Sequence, residues 1–349
     1  VVQVHQGTDE RGAAVLVEEL RADERLAGWL RDLESESESE GEPGGPRAEA
    51  VLPDAVALPD VLLDLSVPHE HVNELVVLRD RLAADPEAMT LLWRCVDRFV
   101  RDMGEIGKGW EPPVFPESTG ALGRTFHLFV FVAALPYVRA YHRQRGIPAD
   151  VSRRTLADLG RHMAVHRRRF GTGGLLVPWW IALHFHGELY QLGRLQYQRA
   201  RLGGHTGQAA SAAGLDTGPG ELCLSLHIPD FRGPMSPEAC DRSLDLAREF
   251  FARHYPDERY AVAVCHSWLL DPQLKRYLPA DSNIVRFQER FQAGYEETKA
   301  DDKSPVGFVF GDPELPVEEL PRRTRVERAV GDHLRAGGHW YGGHGWFAL

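Results

Sequence analysis

The stretch HFHGELYQLGRLQYQRARL, His184 to Leu202, carries the reading of the fold. Taken two residues at a time, His184, His186, Glu188 and Tyr190 fall on one side. Phe185, Gly187 and Leu189 fall on the other, which is the alternation of a strand. WWIALHFHGELYQLG and RLQYQRARL then read as two strands meeting around Leu192-Gly193. On that reading two imidazoles, a carboxylate and a phenol share one surface.

Downstream, short apolar runs alternate with turns and helical patterns. ELCLSLHIP reads as a strand. SPEACDRSLDLAREFFARHY reads as a helix with Ser236 as N-cap and Pro237 in its first turn. RYAVAVCHSW is a buried strand, SNIVRFQERF a helix, PVGFVFGD a strand and TRVERAVGDHLRAGG a helix. HWYGGHGWFAL closes as an edge strand, and GGHTGQAASAAGLDTGPG, Gly203 to Gly220, is a flexible loop. The result is a mixed sheet of about six strands.

Upstream the texture is helical. RGAAVLVEELRADERLAGWLRDL, Arg11 to Leu33, repeats Leu16, Leu20, Leu26 and Leu30 at helical spacing. From Leu58 to Gly104 helices break near Asp85-Pro86. FHLFVFVAALPYV is a buried helix, too short to span a bilayer, which needs about 20 apolar residues. TLADLGRHMAVHRRRF is one more helix. ESESESEGEPGGP, Glu34 to Pro46, cannot bury apolar area and reads as a mobile acidic loop. The fold class is therefore α+β. A mostly helical domain covers residues 1–168, including the 34–46 loop, and a sheet domain covers residues 169–349.

Composition narrows the function. The 349 residues are 26% charged and 43% apolar, and the net charge of −11 argues against a nucleic-acid partner. The four cysteines (Cys95, Cys223, Cys240, Cys265) form no C-x-x-C pair, as expected of reduced cytoplasmic thiols. No charged segment followed by an apolar run opens the chain, so neither a signal peptide nor membrane association is expected. There is no Walker loop, no dinucleotide fingerprint and no G-x-S-x-G elbow.

The order strand, capped helix, strand, helix, strand resembles the core of the GNAT acyltransferases. LGRLQY (Leu192–Tyr197), LHIP (Leu226–Pro229), CHSWLLDP (Cys265–Pro272) and DSNIVRFQ (Asp281–Gln288) are more specific. With them the whole chain resembles the N-acyltransferases of teicoplanin-type glycopeptide antibiotics, with a helical N-terminal domain and a GNAT-like C-terminal domain. The resemblance implies transfer of a long acyl chain from acyl-CoA to the 2-amino group of a glucosamine on a glycopeptide pseudoaglycone. Acyl-CoA is a co-substrate and no metal is required. Many GNAT proteins cradle the CoA pyrophosphate in a Q/R-x-x-G-x-G/A loop. Here HIPDFRGPMSPE keeps only Arg232 and Gly233, beside the helix tip at Ser236.

Under that resemblance, direct amine attack needs a base. His186 is the first candidate, with His184 behind it, Glu188 orienting the ring and His227 as a third option. Leu226, His227 and Ile228 would pair with pantetheine through their main chain, and Asn283 with a pantetheine amide. The acceptor is expected in the cleft between the two halves. Plainer readings stand beside these. The His-x-His-x-Glu stripe also suits the solvated face of an edge strand, or two ligands of a zinc hydrolase. His227 also suits filling a strand end, and Asn283 a local cap. CHSWLLDP invites a Cys265–His266 nucleophile, but neighbours on a strand face apart. Another amine acceptor, or a non-catalytic acyl-CoA-binding module, would keep the same shell.

Overall fold

The computed structural model describes residues 14–39 and 52–349. They belong to two compact units. One runs to Gln144 and resumes over Pro148–Gly187; the other comprises Arg145–Ile147 and Glu188–Leu349. The division falls at Gly187, later than the expected boundary between residues 168 and 169, because the segment before it is a helix.

The first unit is helical. Helices α1 (Ala14–Ala22) and α2 (Glu24–Ser39) replace the single helix expected from Arg11. They break at Asp23, whose Oδ1 accepts from the N–H of Arg25 at 3.0 Å and of Leu26 at 3.1 Å. Leu16, Leu20, Leu26 and Leu30 are all buried, as their spacing predicts. The acidic run does not begin as a loop. Helix α2 continues through Ser39, and Glu34 accepts from Arg94 Nη1 at 2.8 Å. The remainder of that run, residues 40–46, lies outside the described residues.

Helices α3 (Leu58–Asp64), α4 (Val72–Ala83) and α5 (Pro86–Arg101) follow. The start of α5 is sharp: Asp85 Oδ1 accepts from Glu87 N at 2.9 Å and Ala88 N at 3.0 Å, and Pro86 occupies the first position. Helix α6 (Gly120–Gln144) is the core rod, with Phe126, Phe129 and Phe131 fully buried. By length and composition the Glu117–Gln144 segment is apolar enough to cross a membrane, yet 78% of its apolar window is buried inside the protein. Helices α7 (Ala149–Leu156) and α8 (Asp158–Phe170) split the helix expected from Thr155, and α9 (Pro178–Phe185) ends the unit.

The opening strand reading fails at α9. Pro178 sits in its first turn and the run PWWIALHF is apolar all round, so periodicity alone cannot separate helix from strand. Two residues apart on a helix is about 200° of rotation, which sends His184 and His186 to opposite sides.

The second unit is the sheet. Its elements are β1 (Leu189–Leu192), β2 (Leu195–Arg201), α10 (Gly204–Ala212), β3 (Leu222–His227), α11 (Pro237–His254), β4 (Val262–Ser267), α12 (Asn283–Gln288), β5 (Gln292–Tyr295), α13 (Lys303–Phe310), α14 (Arg325–Arg335) and β6 (Gly343–Ala348). The sheet has six strands in the order β1-β2-β3-β4-β6-β5. Strands β3 and β4 are parallel; every other neighbouring pair is antiparallel. This is the α+β architecture expected.

Helix α11 covers one face. Ser243 Oγ accepts from Leu195 N at 3.0 Å, and the Tyr190 ring meets Phe250 at 4.8 Å. On the other face α10 stands where a loop was expected. Its alanines favour helix, and Ala210 packs with Cys223, Val262 and Trp346. The segment expected as strand PVGFVFGD is instead α13, with Pro305 in its first turn and Gly311 closing it at φ 89°. Strand β6 is interior, not an edge: β5, unforeseen in the sequence, pairs along its far side.

Candidate active site

Helix α9 holds His184, and His186 is its C-cap. His184 is fully buried, with Nδ1 3.0 Å from the Trp180 carbonyl and Nε2 3.3 Å from Asp158 Oδ2. Both nitrogens are engaged inside the unit; burial pulls the imidazole below its ordinary range against the raising pull of Asp158, so the ring is tied into this network and sealed from a substrate amine. Asp158 also accepts from Arg161 Nε at 2.9 Å and Trp180 Nε1 at 3.2 Å. Burial alone would raise this carboxyl; His184, His162 and Arg161 outweigh burial and hold it well below the usual carboxylate range.

His186 closes α9. Its N–H donates to Ala182 O at 2.8 Å, its carbonyl accepts from Gly104 N at 2.8 Å, and its ring stands edge-on to Phe99 at 5.7 Å. Glu188 is the first residue of the sheet unit; it is buried, and its carbonyl accepts from Arg199 N at 2.8 Å. The three residues are therefore not a stripe on one strand. Among the described residues no group of three or more His, Cys, Asp or Glu has the arrangement to hold a metal.

The sheet opens at a different place. The parallel ladder between β3 and β4 has its rungs at Leu224↔Ala263 and Ser225↔Val264. Yet β3 stays paired with β2 as far as Gln196↔His227, and β4 with β6 as far as Ser267↔Gly343. The two central strands thus part after Ser225, leaving Leu226 and His227 on the diverging lip, with Ile228 just beyond the strand. Leu226 is buried, whereas His227 and Ile228 are half-buried. His227 Nε2 lies 3.0 Å from Gln198 Oε1.

The turn after β3 carries the other candidates. Arg232 is half-buried with its guanidinium 5.1 Å from the centre of the Phe231 ring, and Gly233 adopts φ 77°. Ser236 caps α11, its Oγ accepting from Ala239 N at 3.3 Å, as the sequence predicts. The exposed Glu238 carboxylate folds back on its own N–H and on Ser236, which holds it below its ordinary range. Asn283 occupies the first position of α12, but Ser282 is the residue that caps it. Cys265 is buried on β4 and burial pushes its thiol up to about 12, so it is no thiolate nucleophile at neutral pH.

Three features escaped the sequence reading: the Asp158 network, the Gln198–His227 pair, and a stack of His266 on His344. The second had a signal, because LQYQRAR alternates and puts Gln196, Gln198 and Ala200 on one face.

Residues 56–187 match the family described as N-acyltransferase N-terminal domain, and residues 189–347 match the GNAT-like C-terminal domain. An acyltransferase solved in complex with CoA and 10C-teicoplanin is 37% identical, with a TM-score of 0.82, covering 95% of this chain and 99% of its own. The chain belongs to the two-domain N-acyltransferases with a GNAT-like C-terminal domain. Two further acyltransferase structures are similar to this N-acyltransferase at 37% identity and a TM-score of 0.80. One, in complex with decanoyl-CoA and teicoplanin, covers 95% of this chain; the other, in complex with decanoyl-CoA, covers 97%. No curated protein matches this N-acyltransferase. The family boundary between residues 187 and 189 coincides with the division into two units.

Proposed function

We propose that the protein moves a long acyl chain from acyl-CoA to the 2-amino group of a glucosamine on a glycopeptide pseudoaglycone, in the cytoplasm where acyl-CoA is made. The observation that carries this reading is the parting of β3 from β4 after Ser225↔Val264. Strand edges that separate offer main-chain groups to an extended amide-bearing arm, and pantetheine is such an arm. Leu226, His227 and Ile228 supply those groups. The N-terminus of α11, with Arg232 and Gly233 before it, takes the diphosphate.

His227 is the base that the geometry supports best. It is half-buried, not sealed, and it stands at the lip where a thioester would lie. Gln198 Oε1 accepts from its Nε2–H, which directs the lone pair to Nδ1. The amine loses its proton to Nδ1, attacks the carbonyl carbon, and the tetrahedral intermediate collapses with expulsion of the CoA thiolate. A base of this kind is worth about 10²–10⁴ in rate.

His184 serves instead as a donor to Asp158, and His186 as a helix end packed on Phe99. Incubation with decanoyl-CoA and a deacylated pseudoaglycone tests the reading: thiol release should accompany a mass gain of one acyl group on the glycopeptide. Thiol release only with other amines would transfer the function to another acceptor. Binding of acyl-CoA without thiol release on any amine would leave a binding module. Loss of turnover in His186→Ala but not in His227→Ala would return the base to His186.

A further inference from the structure

The rungs Leu224↔Ala263 and Ser225↔Val264, continued by two residues, would set His227 opposite His266. Residues in register across a parallel pair share a face, so both imidazoles look out from the same side of the sheet, one on each lip of the opening. His266 is exposed, and an exposed histidine ordinarily samples several rotamers. Here the ring is clamped. It stacks on His344 at 3.9 Å and 11°, and His344 stacks in turn on Tyr295 at 3.8 Å and 25°. On another side Gly342 leaves it room: a Cβ there would come within 2.5 Å of His266 Nε2. Among the described residues neither ring nitrogen of His266 has a hydrogen-bond partner. The platform beneath it is neutral, since burial and the neighbouring His266 pull His344 down to about 4, with Glu297 Oε2 3.6 Å from its Nε2. Stacking on the His344–Tyr295 pair and one missing Cβ thus fix a ring whose nitrogens bond to none of the described residues.

We propose that His266 is the general acid that protonates the departing CoA sulfur. This rests on the placement of the thioester at the β3–β4 opening. The N–C bond forms first, giving the tetrahedral intermediate; as that collapses the C–S bond breaks, and the electron pair that leaves with sulfur takes a proton from the His266 imidazolium. The proton shed by the amine goes to His227, and exchange with solvent resets both rings. His344 and Tyr295 are positioning residues: they hold the acid and touch no substrate.

The test varies the leaving group. For His266→Gln, kcat/KM with decanoyl-CoA should fall about 10²-fold. With a decanoyl thioester of an acidic aromatic thiol, which departs without a proton, the fall should be under about threefold. Gly342→Ala, which displaces the ring but keeps the imidazole, should show the same selectivity more weakly. His227→Gln should lose equally with both thioesters. Equal losses for His266→Gln on the two donors, or none on either, would overturn the assignment. Full activity of His227→Gln would strike at the opening itself as the place of reaction, and the His266 assignment would fall with it.

Discussion

His227 Nε2 meets Gln198 Oε1 at 3.0 Å, although the residue paired with His227 in the ladder is Gln196. The contact runs diagonally across β2 and β3 on one face, within reach of long side chains. It selects a tautomer as well as a ring position. Gln198→Ala should therefore lower kcat about tenfold with little change in acyl-CoA affinity. Gln198→Glu puts a carboxylate against the same N–H and should shift the acid limb of the pH–rate profile upward by about one unit. A stability effect without change of profile would make Gln198 a packing residue only.

Glu238 competes for the place proposed for the diphosphate. Its carboxylate takes the first-turn N–H of α11 that an anion would use. Glu238→Gln should lower the KM for acyl-CoA by about two- to fivefold, most at low ionic strength, with kcat unchanged. Titration of CoA against both proteins by calorimetry checks this directly. Arg232→Ala should act in the opposite direction.

The legible parts of the fold were those whose local chemistry agreed with their pattern. Ser236-Pro237 announced α11, Asp85-Pro86 announced α5, and Thr324 with Glu327 forms the capping box that begins α14. Strands β1 and β2 were legible from Leu189 onward because two short runs meet at a glycine turn, β1 buried throughout and β2 buried at its start and partly open toward its end. The run before them was not: Trp179 to Phe185 is apolar on every side, and a pattern without a polar face has no period to read. The site divided in the same way. The main-chain lip at Leu226–Ile228 followed from fold resemblance. The partners of each histidine depend on contacts between residues far apart in sequence, such as Asp158 with His184, and no spacing encodes those.

Asp158 is the anchor of the helical unit around α8 and α9. It is almost fully buried, paired with the Arg161 guanidinium and approached by the His162 and His184 rings. Asp158→Asn keeps the shape but leaves donors facing an amide, and should destabilise that unit by about 3–5 kcal/mol. The sign with pH follows from the depressed carboxyl. Its folded value lies below its unfolded value near 3.9, so its stabilisation is complete above the unfolded value and is lost as pH falls toward the folded one. Urea midpoints of the native protein should drop between about pH 5 and 3, and the Asp158→Asn curve should be flatter over that window.

Gly160 sets how closely α8 approaches the turn that follows α3. Its N–H donates to Leu65 O at 3.2 Å, and Ser66 in that turn adopts φ 58°. A Cβ at Gly160 would lie 2.0 Å from Ser66 O and 2.5 Å from Val67 N, both main-chain atoms that no rotamer can move. Gly160→Ala should therefore cost about 1–3 kcal/mol despite alanine's better helix propensity. At 2–4 °C per kcal/mol for a domain of this size, the thermal midpoint should fall by roughly 2–12 °C. Gly28 in α2 provides the contrast. Its nearest neighbour to an added Cβ is the flexible Arg31 side chain at 3.9 Å, so Gly28→Ala should raise stability by up to about 1 kcal/mol. A Gly160→Ala midpoint equal to the native one would mean that α8 stands off that turn in solution.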